Sequence, residues 1–335
     1  MKILVLLDGS NGVAYHRLFV PFARLQQDHD VTVDVSQNRA EWGDLKYTDY
    51  DCVVFNRWLG DLQYNILEIL AKKKVPYIID IDDYWVLPRH NPAYQVYRKK
   101  IKNCIKDAIH YADAVMTTTP QLASVISPLN PNITIAKNAL DYTHEQWQAK
   151  TDHPLTIGWV GGISHEEDIK LLEGQIAPIC EKHNIRFLMG GHHEGNPIWA
   201  KMEKAVTGTD KRPEWFVTRT GTSPIEYGKM YSEIDICLAP LTHDKFNRYK
   251  SELKIVEAAA YNLPILCSRV EPYTNHKNLG VFFVDNNDWV TPLERLIKSK
   301  KWDKVGEINR AYCDEHHNLK AENAIRMALL KSVCK

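Results

Sequence analysis

The sequence predicts an α/β protein of two domains, each a parallel sheet with helices on both faces, and three observations carry that prediction. The chain has 335 residues, more than a single hydrophobic core usually serves. Short apolar runs of strand length alternate with amphipathic helical stretches, the pattern of parallel strands joined by helical crossovers. After a polar, tryptophan-containing stretch from Asp141 to Pro154 the alternation begins again. No residue-level repeat links the halves, so they read as two similar architectures. The expected division is 1–150, 151–318 and a terminal helix, 319–335, able to cross back onto the first domain.

In chain order, strands of the first half are expected at KILVLL, VTVDV, CVVF, PYIID, AVMTT and NITIA. Helices are expected near His16 to Gln27, near Leu62 to Lys73, from Tyr94 to Tyr111 and after Pro120, where apolar residues recur at helical spacing. The second half gives strands at LTIGWV, IRFLM, EWFVT, DICLAPL, PILCS and GVFFV. One helix is expected from His165 to about Lys182 and another within FNRYKSELKIVEAAAYNLPILCS. In the tail AENAIRMALLKSV, Ile325, Leu329 and Val333 form a helical stripe that must be buried somewhere.

With 44% hydrophobic and 25% charged residues, and 42 basic against 42 acidic, the chain has the balance of a soluble globular protein and no global field for steering nucleic acid. Basic runs are local, at Lys72 to Lys74, Arg98 to Lys106 and Lys298 to Lys304, and such runs are ordinarily solvated helix faces. Seven cysteines without a C-x-x-C pair argue against a disulfide framework or a zinc knuckle. The N-terminal run ends at Asp8, which suits a buried first strand rather than a signal peptide, and no apolar stretch reaches membrane-span length. The expected compartment is the cytoplasm.

In open α/β sheets, ligands sit beyond the carboxyl ends of the strands, which directs attention to four places. After the first strand, DGSNGVAYHR offers Gly9 and Gly12 for a turn at a helix N-terminus, with His16 and Arg17 in or near its first turn. It does not fit G-x-G-x-x-G, so a nicotinamide cofactor is not indicated. After PYII, the segment DIDDYW carries Asp80, Asp82 and Asp83. These carboxylates could hold a divalent metal, accept hydrogen bonds from substrate hydroxyls, or pair with Arg57 of FNRW. In IGWVGGISHEED, Gly161 and Gly162 make a turn, Ser164 and Glu167 fit a capping box, and His165 is left for a phosphate or sugar. His192 and His193 occupy a similar glycine loop, where adjacent histidines are more often surface than ligand.

The fourth place is the helix of the KSELKIVEAAA segment. Lys250, Lys254 and Glu257 are spaced to share one face, and Leu253, Val256 and Ala260 another that can pack on a sheet. Arg248 adds charge at the N-terminal end. Such cations at a helix N-terminus suit a diphosphate, whereas a plain Lys254 to Glu257 surface pair contributes only about 0.2–0.5 kcal/mol.

The segments ADAVMTTTPQLASVI, NITIAKNALD, LTIGWVGG, YSEIDICLAPL and KSELKIVEAAAYNLPILCS follow one another in an order that resembles the GT-B glycosyltransferases, in particular their retaining, glycogen-synthase-like branch. The resemblance covers most of the chain. It implies two Rossmann-like domains facing a central cleft, the C-terminal one binding a nucleoside diphosphate sugar and the N-terminal one the acceptor. Glu257 matches the glutamate that holds ribose hydroxyls. Gly161, Gly162, Ser164, His165, Arg248, Lys250 and Lys254 then fall on the donor side, while Gly12, His16, Arg17, Arg57, Asp82 and Asp83 fall on the acceptor side. Asp82, Asp83 and Lys254 are the expected catalytic residues. The family often has a glutamate eight residues before the ribose glutamate; here that position is Tyr249. Where an arginine commonly follows the first glycine of the C-terminal domain, this chain has Gly162.

The expected activity is that of a hexosyl- or pentosyltransferase, retaining, without metal or other cofactor, acting on a saccharide or related small molecule. Two further readings stand beside it: a glycosyltransferase acting on a hydroxymethylated base in DNA, and a non-catalytic nucleotide-sugar binder.

Overall fold

The computed structural model describes residues 1–9, 12–147, 151–275 and 277–334. The chain divides into two compact units, one formed by Met1–Ala139, Tyr249–Ser251 and His317–Lys335, the other by Leu140–Arg248 and Glu252–His316. Trp147, in the stretch that separates the two strand patterns, lies in the core of the second unit with its ring beside Tyr231 and Tyr261.

The first unit is built on strands β1 (Lys2–Leu6), β2 (Thr32–Ser36), β3 (Cys52–Asn56), β4 (Tyr77–Ile81), β5 (Ala114–Thr117) and β6 (Ile133–Ile135). They form one sheet in the order β2-β1-β3-β4-β5-β6, every pair parallel. Side chains alternate between its faces. Leu4, Leu6, Val53 and Phe55 enter one core, while Ile3, Val5, Val54 and Ile78 enter the other. With both faces covered, each such side chain contributes roughly 1.5–3 kcal/mol of burial, so the strands read as continuous apolar runs.

The second unit repeats the plan with β7 (Thr156–Val160), β8 (Arg186–His192), β9 (Phe216–Thr220), β10 (Ile236–Ala239), β11 (Ile265–Ser268) and β12 (Val281–Val284), ordered β12-β11-β10-β7-β8-β9 and parallel throughout. Strand order reverses between β1 and β3 in one sheet and between β7 and β10 in the other. Crevices for ligands open at such reversals. These are two Rossmann-like domains.

Several elements depart from the sequence reading. The helix expected from His165 to Lys182 is broken: short turns span Ile163–Leu172, Gly174 sits at φ +72°, and the regular helix is Ile176–His183. A side chain at that φ is strained, so the helix cannot run through. A helix absent from the sequence reading, Pro197–Thr207, lies between β8 and β9. Its signals were present: Asn196 caps the Ile198 N–H at 2.9 Å, Pro197 opens it, and Gly208 closes it at φ +72°. The terminal helix Leu319–Val333 packs on the first unit. Leu329 and Val333 of the expected stripe are buried, but Ile325 is 39% exposed, and Glu322, Asn323, Arg326, Met327 and Leu330 widen the buried face in its place. The polar members of that face bond to the unit beneath: Lys137 N–H donates to Glu322 at 2.7 Å and Asn323 donates to the Pro21 carbonyl at 2.9 Å. All seven cysteines are free thiols. Among the described residues no helix is long and apolar enough to cross a membrane.

Candidate functional site

At the β1/β3 reversal of the first unit, the expected acceptor residues form a buried charge network. Arg17 is 1% exposed. Its guanidinium donates to both oxygens of Asp80, at 3.1 and 2.5 Å, and to the Ala136 carbonyl at 2.7 Å and Asn138 at 3.2 Å. Asn56, at the end of β3, donates to Asp80 at 2.9 Å and to Asp82 at 3.0 Å. Arg57 then holds Asp82 with two hydrogen bonds, 2.5 and 2.6 Å, and reaches Asp83 at 3.5 Å. Burial opposes ionisation of Asp82, but Arg57, Asn56 and Arg17 outweigh it and keep its carboxyl below the usual aspartate range.

This arrangement corrects three expectations. Arg17 points into the core and is spent on Asp80. His16 is also buried, its ring edge-on to Tyr15 at 4.9 Å, so it does not stand on the loop surface. Gly12 opens a helical turn with open space where a side chain would stand, so that position does not require glycine; the turn's positive φ belongs to Gly9, at +80°. Ser10 and Asn11 of the same loop lie outside the described residues. Asp83 is the most accessible of the three carboxylates, with its side chain 25% exposed. Asp80 has its oxygens taken by Arg17 and Asn56, which leaves the D-x-D segment without an open pair of carboxylates for a cation. Among the described residues no group of three or more His, Cys, Asp or Glu could hold a metal ion.

In the second unit the helix begins later than the charge spacing suggested. It spans Leu253–Ala260, after a 3-10 turn at Asn247–Tyr249. Lys250 therefore lies outside it, and Tyr249–Ser251 belong to the first unit, where the Tyr249 ring packs on Tyr84 at 4.9 Å. Arg248 is exposed and forms an ion pair with Glu271 at 2.5 Å. Of the three charges expected on one face, only Lys254 and Glu257 come together.

Their cluster is not a surface pair. Glu257 is 2% exposed and accepts from Tyr227 Oη and Tyr231 Oη, each at 2.5 Å, and from Lys254 Nζ at 2.8 Å. Burial disfavours the charged carboxylate, yet Lys254 and the two tyrosine hydroxyls hold it below the usual glutamate range. Tyr231 is buried, while Tyr227 is only partly so. The tyrosines come from YGKMYSE, a 3-10 segment whose spacing of four puts both hydroxyls on one carboxylate. Sequence reasoning did not single them out. The available signal was YxxxY immediately before a strand that neighbours the glutamate helix.

At the β7/β10 reversal, the glycine turn and the end of β10 are tied by Asp168. It accepts from His165 Nδ1 at 2.8 Å, from the Thr242 N–H and hydroxyl at 2.7 and 2.9 Å, and from Asn247 at 3.0 Å. His165 is thus held by Asp168 rather than left over, and Asp168 and Asn247 are site-shaping residues the sequence reading passed over. The capping box does not form. A 3-10 turn starts at Ile163 with Gly162 before it, so Ser164 falls inside the turn and Glu167 pairs with Lys170 instead. Gly162 has open space around it, whereas Gly161 stands over the Trp159 ring and Gly191 meets the Gly161 carbonyl. His193 is exposed, but His192 is buried against Trp199 at 5.3 Å and its pKa is lowered by that burial.

Residues 154–299, which contain this whole second cluster, match the family model described as glycosyl transferases group 1. No curated protein matches the chain in sequence. Among solved structures it is similar to sucrose-phosphate synthase from Thermosynechococcus elongatus, with TM-score 0.72 and 13% identity over 99% of each chain. It is similar to HepE of Anabaena in complex with UDP, with TM-score 0.66 and 13% identity over 99% of this chain and 100% of that one. A TarM variant of S. aureus, in complex with fondaparinux, alpha-GlcNAc-glycerol and UDP, gives TM-score 0.62 and 13% identity over 83% of this chain and 55% of that one.

Proposed function

We propose that this enzyme, a glycosyltransferase with the two Rossmann-like units of the GT-B architecture, moves a sugar from a nucleoside diphosphate sugar to a saccharide hydroxyl with retention of configuration. The observation that carries the reading is the Lys254–Glu257 cluster, a buried carboxylate held by two tyrosine hydroxyls and one ammonium, inside the segment that matches the group 1 glycosyltransferase model. UDP is the first nucleotide to try, since HepE and the TarM variant were solved with it.

In this reading the second unit takes the donor. A carboxylate offers about four acceptor positions, and Glu257 has three donors already, so a ribose hydroxyl takes the remaining one or replaces partly exposed Tyr227. Lys254, 20% exposed at its side chain, presents its ammonium to the diphosphate. As the glycosidic bond to the diphosphate breaks, charge grows on the leaving oxygen, and a cation already in place stabilises it without reorganisation. His165, steadied by Asp168, and the Gly161–Gly162 turn complete the donor side. The first unit takes the acceptor, with Asp83 and the Arg57-held Asp82 receiving its hydroxyl hydrogens. No observation favours a modified base in DNA as acceptor: Lys100, within the basic run Arg98 to Lys106, is itself paired with Asp61.

The test offers UDP-, GDP- and ADP-sugars with a panel of saccharides and follows product by mass and its anomeric configuration by NMR. Transfer is expected with one nucleotude family and in the presence of EDTA; activity abolished by EDTA and restored by manganese would overturn the metal-free part. Lys254→Ala should lower kcat by about 10²-fold while the fold survives, in line with loss of one preorganised charge-stabilising group. Unchanged turnover in that variant removes the assignment.

A further inference from the structure

A cavity in the first unit lies away from all of these residues. It has a volume of about 850 Å³ and is walled entirely by the first unit, within the size range of small-molecule sites, about 300–1,000 Å³. Asp51, Pro76 and Asp113, which line it, immediately precede β3, β4 and β5, so it opens at the amino ends of the strands. β3 and β4 are five residues each, which puts the cavity about 16 Å from the carboxyl ends where the acceptor residues stand.

Its lining has a specific chemistry. Tyr64 and Tyr111 line it and are 50% and 70% exposed, the largest aromatic exposures of the first unit's described residues. Tyr64 donates its hydroxyl to Asp107 at 2.6 Å, and Asp107 and Tyr111 sit four apart on the helix Lys102–Tyr111, so the two rings and the carboxylate share one ridge. Asp113 has one oxygen fixed by the Tyr77 N–H at 2.9 Å and Asp51 one by the Lys2 N–H at 2.7 Å, which leaves each a second oxygen as acceptor. Two solvent-facing rings, Tyr64 held through its hydroxyl, beside fixed carboxylate acceptors match the two surfaces of a pyranose, an apolar C–H face and a rim of hydroxyl donors. An apolar peptide groove would lack those acceptors on its floor.

We propose that this cavity is an accessory saccharide-binding site, separate from the transfer site, that anchors an oligosaccharide through Tyr64 and Tyr111 while another part of that chain is glycosylated. The inference rests on the saccharide-acceptor reading for its use in the reaction, but binding at the cavity requires neither donor nor turnover.

The experiment is affinity electrophoresis of the full chain in native gels containing soluble starch, dextran, xylan or heparin, comparing the wild type with Tyr64→Ala/Tyr111→Ala and with Lys73→Ala/Lys74→Ala. At least one neutral glycan should retard the wild type, and the tyrosine pair should weaken that retention about tenfold, the size expected for losing two aromatic contacts. Tyr111→Ala alone, at an exposed position, guards against misfolding and should give part of the same loss. No retardation by any neutral glycan, or equal retardation of the tyrosine variant, overturns the site. Retardation by heparin alone, lost in the lysine pair and kept in the tyrosine pair, overturns it as well, since that describes a basic patch. Failure of transfer to every saccharide would defeat the proposed function and leave the gels to decide the cavity.

Discussion

At the scale of single residues, the molecule invests in charges it has buried. Arg17 and Asp80 have side chains 2% and 0% exposed and bond through two contacts. Removing one partner of such a pair strands the other without water, so Asp80→Ala should cost about 3–5 kcal/mol in urea denaturation; a loss within experimental error would show that the network is dispensable. Glu257 gives a pH signature. Its folded carboxyl lies below the ordinary value of 4.5 because Lys254, Tyr227 and Tyr231 overcome the burial that opposes ionisation. Its stabilising contribution is therefore complete above 4.5, the unfolded value, and is lost as pH falls through the lower folded one. Thermal melts of Glu257→Gln should be less steeply dependent on pH below that value than those of the wild type, and parallel curves would contradict the cause assigned here. Residue identity announced the carboxylates and lysines. It could not announce that Asp82 would find Arg57, or that two tyrosines would close over Glu257, because those partners are brought together only when separate loops reach the same strand ends.

At the scale of elements, the donor side proposed above depends on how closely two glycine turns approach. Gly191, near the end of β8, has φ +92°, and a Cβ there would collide with the Gly161 carbonyl after β7. Gly191→Ala should lose about 1–3 kcal/mol from backbone strain alone and raise the donor KM by displacing the Gly161 turn. Gly162→Ala, with open space at that position and no positive φ, should be close to neutral. Equal behaviour of the two variants by denaturation and donor titration would undo the distinction. Both glycine pairs were visible in the sequence, but which glycine is sterically required was not. The helix carrying Lys254 shows the same limit. Spacing placed Lys250 on its face, yet the 3-10 turn at Asn247–Tyr249 delays the helix to Leu253 and leaves Lys250 outside.

At the scale of the whole chain, the terminal helix completes the unit that the first residues begin. Met327, Leu330 and Val333 enter the same core as Ile3, Val5 and Phe22. Leu330, 1% exposed, should cost about 2–5 kcal/mol when cut to alanine. Denaturation followed separately in each unit should assign that loss to the first one, and a loss confined to the second would refute the packing. What the sequence determined by itself was the class: apolar strand-length runs separated by helical stretches leave a parallel sheet few alternatives, and the restart after residue 154 announces a second one. Local periodicity is enough for that, because each strand's pattern records how many of its own faces are buried. The tertiary structure alone decided the strand order, the seating of the terminal helix that buries Arg326 and exposes Ile325, and the pairing of Glu257 with Tyr227 and Tyr231. Those are contacts between segments distant in sequence, and no local pattern encodes which partner a buried charge will meet.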